Sequence, residues 1–145
     1  MYPCLVIDPR QDVAAPARNG PRRKGALELP SLTTYADAKD YLHAAQSWLE
    51  RDEAVNSLLL GLAFRLVQNP AAYGGQPYLA TVVDDQGLVV AALMTPPHRL
   101  VLYAAAPAPI PALELVADSL LAGGWPVPGV LGPAETAREF ARIWV

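Results

Sequence analysis

Apolar positions recur at two different spacings along the chain, and the change of spacing separates helices from strands. In the first half they recur every three or four residues, which is typical of a helix buried on one face. One such stripe consists of Ala38, Leu42, Ala45 and Leu49. A second consists of Leu59, Leu62, Ala63 and Leu66, in a helix from Asn56 to Val67 that ends at Asn69-Pro70. Thr34-Tyr35-Ala36-Asp37 has the form of a capping box and predicts the start of the first helix.

Short β-rich runs follow in the second half of the chain. Tyr78–Val83 and Leu88–Met94 flank a turn at Asp84–Gly87, which predicts a hairpin. Four further elements are predicted from composition and spacing: a strand at Leu100–Tyr103, a helix at Pro111–Leu121, a strand at Val127–Leu131, and a last helix with Ala137, Phe140, Ala141 and Trp144 on one side. With a first strand at Ala26–Leu29, the order is β-α-α-β-β-β-α-β-α. We therefore predict an α/β fold of the α+β type, with a mixed, mostly antiparallel sheet flanked by helices.

The first 25 residues differ in composition from the rest. They contain four prolines and five basic residues, and they predict a flexible tail before one folded unit at residues 26–145. Arg22-Arg23-Lys24 leaves two interpretations open. The cluster is a contact for nucleic acid or a membrane, or it is part of a solvated arm. Three charges favour the solvated arm.

Charge and length narrow the range of partners. The 145 residues suit one domain. Residues 29–145 hold six Lys or Arg against eleven Asp or Glu, a net charge of −5, which argues against a nucleic-acid surface. No apolar run reaches the roughly 18–20 residues of a membrane span. One cysteine forms no internal disulfide and no signal peptide is evident at the N-terminus, so we expect a cytoplasmic protein.

Few residues suggest chemistry by themselves. His43 and His98 are the two histidines, without a second ligand type nearby, so we expect no metal site. His43 lies one position off its helix stripe and is interpreted as a packing residue. Asp84-Asp85 is interpreted as turn chemistry rather than a carboxylate pair. Sequence patterns for a hydrolase elbow or a nucleotide-binding loop are absent, and no catalytic residue is predicted.

Three segments resemble one family in the same order along the chain. They are Asp52–Leu66 (DEAVNSLLLGLAFRL), Tyr78–Pro97 (YLATVVDDQGLVVAALMTPP) and Pro128–Trp144 (PGVLGPAETAREFARIW). They are similar to the N-terminal lobe of bacterial two-lobed GNAT-superfamily N-acetyltransferases, and the likeness covers roughly residues 29–145. The resemblance implies a GNAT-like fold and transfer of acetyl from acetyl-CoA to a small-molecule amine.

The resemblance also indicates where the cofactor loop belongs. In the family an Arg/Gln-x-x-Gly-x-Gly/Ala loop between the fourth strand and the next helix binds the pyrophosphate through backbone N–H groups. Here that place is Ala104–Pro111 (AAAPAPIP), without glycine and with three prolines that lack an N–H. The one Arg-x-x-Gly, Arg22–Gly25, lies in the tail and has Leu27 where Gly or Ala is required. We therefore expect no cofactor-binding residue in this chain, with acetyl-CoA as the cofactor of the family.

Two functions stay open. One is the N-terminal, non-cofactor-binding lobe of a GNAT-type N-acetyltransferase, inactive alone and truncated relative to the family, with Thr95, His98 and Tyr103 as substrate-binding candidates at the strand ends beside the cleft. The alternative is a non-catalytic module of GNAT-like fold that binds a small ligand or dimerises. If a C-terminal lobe is missing, Phe140, Trp144 and the neighbouring sheet edge are left uncovered, which predicts a homodimer.

Overall fold

The computed structural model describes residues 29–104 and 109–144, which form one sheet and four helices. In chain order the elements are β1 (Ser31–Thr34), α1 (Ala38–Glu50), α2 (Glu53–Gln68), β2 (Tyr78–Asp84), β3 (Gly87–Met94), β4 (Leu100–Ala104), α3 (Ile110–Ala122), β5 (Val130–Leu131) and α4 (Ala134–Trp144). In this part of the chain no helix combines the length and the apolar character needed to cross a bilayer.

The five strands lie side by side in chain order, β1-β2-β3-β4-β5. The first four pair antiparallel, and β5 pairs parallel with β4. The predicted hairpin is β2–β3, closed where Asp84 pairs with Gly87. The predicted mixed, mostly antiparallel sheet with helices is therefore confirmed.

Helices cover both faces of the sheet. Alternate side chains of a strand point to opposite faces, so two separate clusters form. The α1–α2 face buries Leu79, Leu93 and Val101 against helices α1 and α2. The α3–α4 face buries Val90, Ala92 and Leu102 against the other two helices. Because both faces are covered, β3 is a nearly continuous apolar run rather than a strict alternation.

Helix α1 begins one turn later than the capping box predicted. Its N-cap is Asp37, whose side-chain oxygen accepts a hydrogen bond from the Lys39 amide at 2.9 Å. Thr34 is instead the last residue of β1 and pairs with Ala80, so its backbone is committed to the sheet. The predicted stripe is confirmed, since all four of its residues are buried. His43 is exposed, so its interpretation as a packing residue is wrong.

The first strand also lies later than predicted. Leu29 is 79% exposed in a bend, and Ala26–Glu28 fall outside the described residues, as does the predicted tail at 1–25. The strand is Ser31–Thr34, in which Leu32 packs against the α3–α4 face. This edge strand contains one inward-facing apolar residue, Leu32, and two β-branched threonines. That composition is a weaker sequence signal for a strand than the leucines that precede it.

Two predictions near the C-terminus need correction. The strand expected at Val127–Leu131 is only β5, because Pro128 has no N–H to donate and pairing starts at Val130. Phe140 was expected to be uncovered, but it is 1% exposed, because α4 packs against α3 through Thr136 and Phe140. Ala141, predicted to share one side of the last helix with Phe140, is exposed.

The end of α1 is packed against the β2–β3 hairpin through one aromatic ring. A Cβ at Gly87 would lie 2.2 Å from the Trp48 ring, and Gly87 has φ +121°, so this turn position requires glycine on both counts. The Arg51 guanidinium lies over the Trp48 ring, 4.0 Å from its centre. The hairpin, the end of α1 and the start of α2 therefore form one packed end of the molecule.

Candidate functional site

A groove opens between the first turns of α2 and the sheet edge formed by β4 and β5. Its volume is about 230 Å³. Its walls are mostly apolar, and its lining residues are Val55, Asn56, Leu58, Leu59, Val101, Leu102, Leu131, Gly132 and Pro133. Val55 and Leu58 are 53% and 49% exposed on the α2 side, so the groove is open to solvent. We refer to it as the α2–β5 groove.

The groove exists because β5 is short. Strand β5 pairs with Leu100 and Val101, two of the five residues in β4. No described strand pairs with the remaining residues of β4 on that side. The chain turns away at Gly132, where an added Cβ would lie 2.5 Å from the carbonyl oxygen of Leu102. Only glycine permits this close approach of the turn to β4. The parallel pair therefore stops early and leaves a recess beside α2.

Asn56 is the buried polar residue in the groove wall. Its side-chain nitrogen donates to the backbone carbonyl of Leu49 at 3.1 Å, near the C-terminal end of α1. The bond ties the end of α1 to the first turn of α2, so it holds the helix corner that forms one side of the groove. Sequence reasoning missed this residue. Its signal in the sequence was a polar side chain on the buried stripe of α2, which continues with Leu59, Ala63 and Leu66.

A carboxylate and a phenol meet near residues that line the groove, although neither is itself a lining residue. The Tyr103 hydroxyl donates to Oδ2 of Asp52 at 3.4 Å. Tyr103 follows the lining residue Val101 on the same face of β4, and Asp52 precedes the lining residue Val55 by one turn. Asp52 is the N-cap of α2, but its side chain makes no capping hydrogen bond. Such a carboxylate can attract a cation or accept a proton, and the phenol beside it can donate one.

The predicted site residues do not all come together. Thr95 is buried just after β3, and His98 is exposed three residues later. Nδ1 of His98 lies 3.0 Å from the Thr95 carbonyl, and because a carbonyl only accepts, Nδ1 carries the proton. Tyr103 pairs with Ala91, four residues before Thr95, which places it about 13 Å away along the sheet. Thr95 and His98 are therefore neighbours at one end, and Tyr103 belongs to the other.

The surroundings of His98 are aromatic rather than ligating. The Tyr73 ring meets it edge-on with the ring centres 6.2 Å apart, and the Arg65 guanidinium lies 6.0 Å from the Tyr73 ring centre. Across residues 29–104 and 109–144, no group of three or more His, Cys, Asp or Glu side chains is placed to hold a metal ion. His98 is exposed at this end of the sheet, with the Tyr73 ring as its aromatic neighbour.

The start of α3 has few backbone donors for an anion. Residues 105–108 of the connection after β4 lie outside the described residues. Pro109 is the N-cap, without a side-chain cap, and Pro111 is the second residue of the helix, so both lack an N–H. The Leu113 amide already donates to the Pro109 carbonyl at 3.0 Å. Helix α3 carries Glu114 and Asp118 and no Lys or Arg, so its side chains do not supply the missing positive charge.

Comparison with known proteins adds no relative. No protein-family model matches the chain, and no curated protein or solved structure is significantly similar to it.

Proposed function

We propose that this chain is the N-terminal, non-cofactor-binding lobe of a GNAT-type N-acetyltransferase, which receives the amine and is inactive alone. The observation that carries the proposal is the α2–β5 groove beside a parallel β4–β5 pair that ends after two residues. The order of elements and the three family-like segments agree with the same proposal. The groove suits the acceptor of the transfer, and the start of α3 does not suit its cofactor.

The acceptor argument rests on the chemistry of the groove. Val55, Leu58 and Leu131 provide apolar contact for the body of a small molecule. The Asp52 carboxylate, one turn before the lining residue Val55, attracts a protonated amine, and the ion pair is partly shielded because Asp52 is only partly exposed. Tyr103 keeps the carboxylate in place through its hydroxyl. The groove therefore favours an amine attached to an apolar group.

The cofactor argument rests on missing amides. Acetyl-CoA is anchored through its pyrophosphate, which needs several N–H groups at a helix start. Pro107, Pro109 and Pro111 have none. Each lost amide removes about 1.5–3 kcal/mol of charge-assisted hydrogen bonding, so two lost amides weaken binding by about two to four decades. The chain is therefore expected to bind acetyl-CoA too weakly to measure at micromolar concentration.

Two titrations test the proposal. Isothermal titration with acetyl-CoA should give no binding heat, and a thiol-release assay with a panel of amines should give no turnover. Titration with phenethylamine should shift the methyl resonances of Val55 and Leu58. Asp52→Asn should weaken that binding about tenfold or more by removing the charge, and no capping hydrogen bond is lost because the Asp52 side chain makes none. A micromolar dissociation constant for acetyl-CoA would overturn the assignment as a non-cofactor lobe.

The groove also favours a second candidate, a non-catalytic module that binds a small apolar ligand. Its lining is largely apolar, and the Asp52 carboxylate is not among the lining residues. The matched probe is 2-phenylethanol, which has the same apolar body without the ammonium group. If the alcohol binds as tightly as the amine, and Asp52→Asn changes neither, the ligand-binding module replaces the acetyltransferase lobe.

A further inference from the structure

Asn56 is the one residue with a polar side chain among those that line the α2–β5 groove. The other lining residues are Val, Leu, Gly or Pro, so the walls otherwise offer apolar surface and backbone. Asn56 is 2% exposed, although its carboxamide carries both hydrogen-bond donors and an acceptor. A buried polar group of this kind needs partners, because burial without a hydrogen bond costs free energy.

The hydrogen bond to α1 fixes which way this carboxamide faces. A backbone carbonyl only accepts, so the atom that lies 3.1 Å from the Leu49 oxygen is the nitrogen Nδ2. The same carbonyl also accepts from the Asp52 amide at 3.1 Å, so it is anchored from two sides. Turning the amide over would bring two oxygens together and lose the bond. Nδ2 is therefore committed to α1, and Oδ1 is left for another partner.

Oδ1 of Asn56 accepts no hydrogen bond from the other residues that the structure describes. It is not sealed off from solvent, since in the same part of the chain only the Tyr41 hydroxyl is both buried and without a partner. Oδ1 therefore belongs to the small part of the Asn56 surface that stays open, and the groove is the opening that this residue lines. The groove thus presents a hydrogen-bond acceptor in a fixed orientation and no side-chain donor.

We propose that Oδ1 of Asn56 is the polar recognition point of the α2–β5 groove, and that it selects ligands with an N–H or O–H donor beside an apolar body. A ligand without a donor covers Oδ1 and removes it from water without replacing the hydrogen bond that water made, which lowers its affinity. A ligand whose one polar atom is an acceptor is rejected for the same reason. The inference rests on the groove as the binding site of the proposed function, but it concerns a contact other than the Asp52 carboxylate.

The test compares 2-phenylethanol with its methyl ether in NMR titrations of the whole chain. The two probes share the apolar body and the oxygen atom, and only the alcohol donates a hydrogen bond. The alcohol should bind about tenfold more tightly than the ether, because the ether leaves Oδ1 covered and unpaired. The side-chain amide signal of Asn56 should shift when the alcohol binds and should shift less with the ether.

Two variants locate the source of the selectivity. Asn56→Ala removes the acceptor, so the alcohol and the ether should bind within about threefold of each other, and this comparison also controls for the extra methyl group of the ether. Leu58→Ala shortens a half-exposed lining residue and removes apolar contact that both probes share. Both probes should bind it more weakly, while the preference for the alcohol stays at about tenfold.

Equal affinity of the unaltered chain for the alcohol and the ether overturns the proposal, and so does the absence of binding by either probe. Neither result depends on a variant that folds. A variant Asn56→Ala that keeps its helices by circular dichroism and still prefers the alcohol about tenfold also overturns it, because another group then selects the donor. Failure of the acetyltransferase proposal is a separate result, since acetyl-CoA would bind or Asp52→Asn would leave amine binding unchanged, while the preference for the alcohol over the ether would persist.

Discussion

Tyr41 is a fully buried side chain on α1, and its hydroxyl has no hydrogen-bond partner among the residues that the structure describes. Tyr78, by contrast, donates its hydroxyl proton to the Ser119 hydroxyl at 2.9 Å. An unpaired buried hydroxyl costs about 1–3 kcal/mol, whereas a paired one contributes about 1 kcal/mol. Tyr41→Phe should therefore raise the free energy of unfolding, and Tyr78→Phe should lower it. Urea unfolding at pH 8 measures both.

The same tyrosine predicts a loss of stability in alkali. Burial, with smaller contributions from Tyr35 and Tyr78, raises the pKa of Tyr41 well above its usual range. The folded state keeps the proton, and the unfolded chain releases it near pH 10. The free energy of unfolding is therefore kept in full below about pH 10 and falls as the pH rises above it. Tyr41→Phe should lose less stability between pH 9 and 11 than the unaltered chain, and equal losses would contradict the assignment.

At the scale of elements, the corner between α1 and α2 depends on one side chain. Asn56→Ala removes one of two donors to the Leu49 carbonyl, which keeps the Asp52 amide at 3.1 Å, and should lower the free energy of unfolding by about 1 kcal/mol. Gln46→Ala is the matched control, since it also removes a side-chain amide bond, to Glu50, but on an exposed surface. Its cost should stay below about 0.5 kcal/mol. Urea unfolding of the two variants measures the difference. Equal losses of unfolding free energy would show that the Asn56 hydrogen bond does not hold the corner.

The helices themselves could be predicted because each repeats its apolar spacing over several turns. The stripe of α1 is buried as expected, and the hairpin turn lies at Asp84–Gly87. The element ends were less predictable. Thr34 and Asp37 are both good capping residues, and only the pairing of Thr34 with Ala80 decides between them. β5 likewise depends on a neighbouring strand, because two residues carry no period of their own.

At the scale of the whole molecule, both hydrophobic clusters share one sheet, so we expect them to unfold together. Leu49→Ala on the α1–α2 face and Leu113→Ala on the α3–α4 face should each cost about 2–5 kcal/mol. Trp48 packs against the first cluster and Trp125 against the second, so their indole NMR signals report the two faces separately. Both signals should disappear at one temperature in each variant. A variant in which one indole signal persists at temperatures where the other has disappeared would contradict unfolding as a single cooperative unit.

The candidate site shows the same division between local and tertiary information. Thr95 and His98 are close in sequence and are close in space, so their proximity was predictable. Asp52 and Tyr103 are 51 residues apart, and their hydrogen bond exists because α2 crosses the face of β4. The α2–β5 groove depends on where β5 stops, which Gly132 and Leu102 decide together. No periodicity marks such a place in a sequence.

The sequence by itself determined the type of most elements, the α+β class and the acidic balance of residues 29–145, because these depend on local spacing and on counts of charge. Only the tertiary structure decided which strand ends meet, which polar residues are buried and where the surface opens. It placed Phe140 inside and left the charges of α4 outside. The physical reason is that burial and pairing are properties of two surfaces in contact, and a sequence pattern describes only one of them.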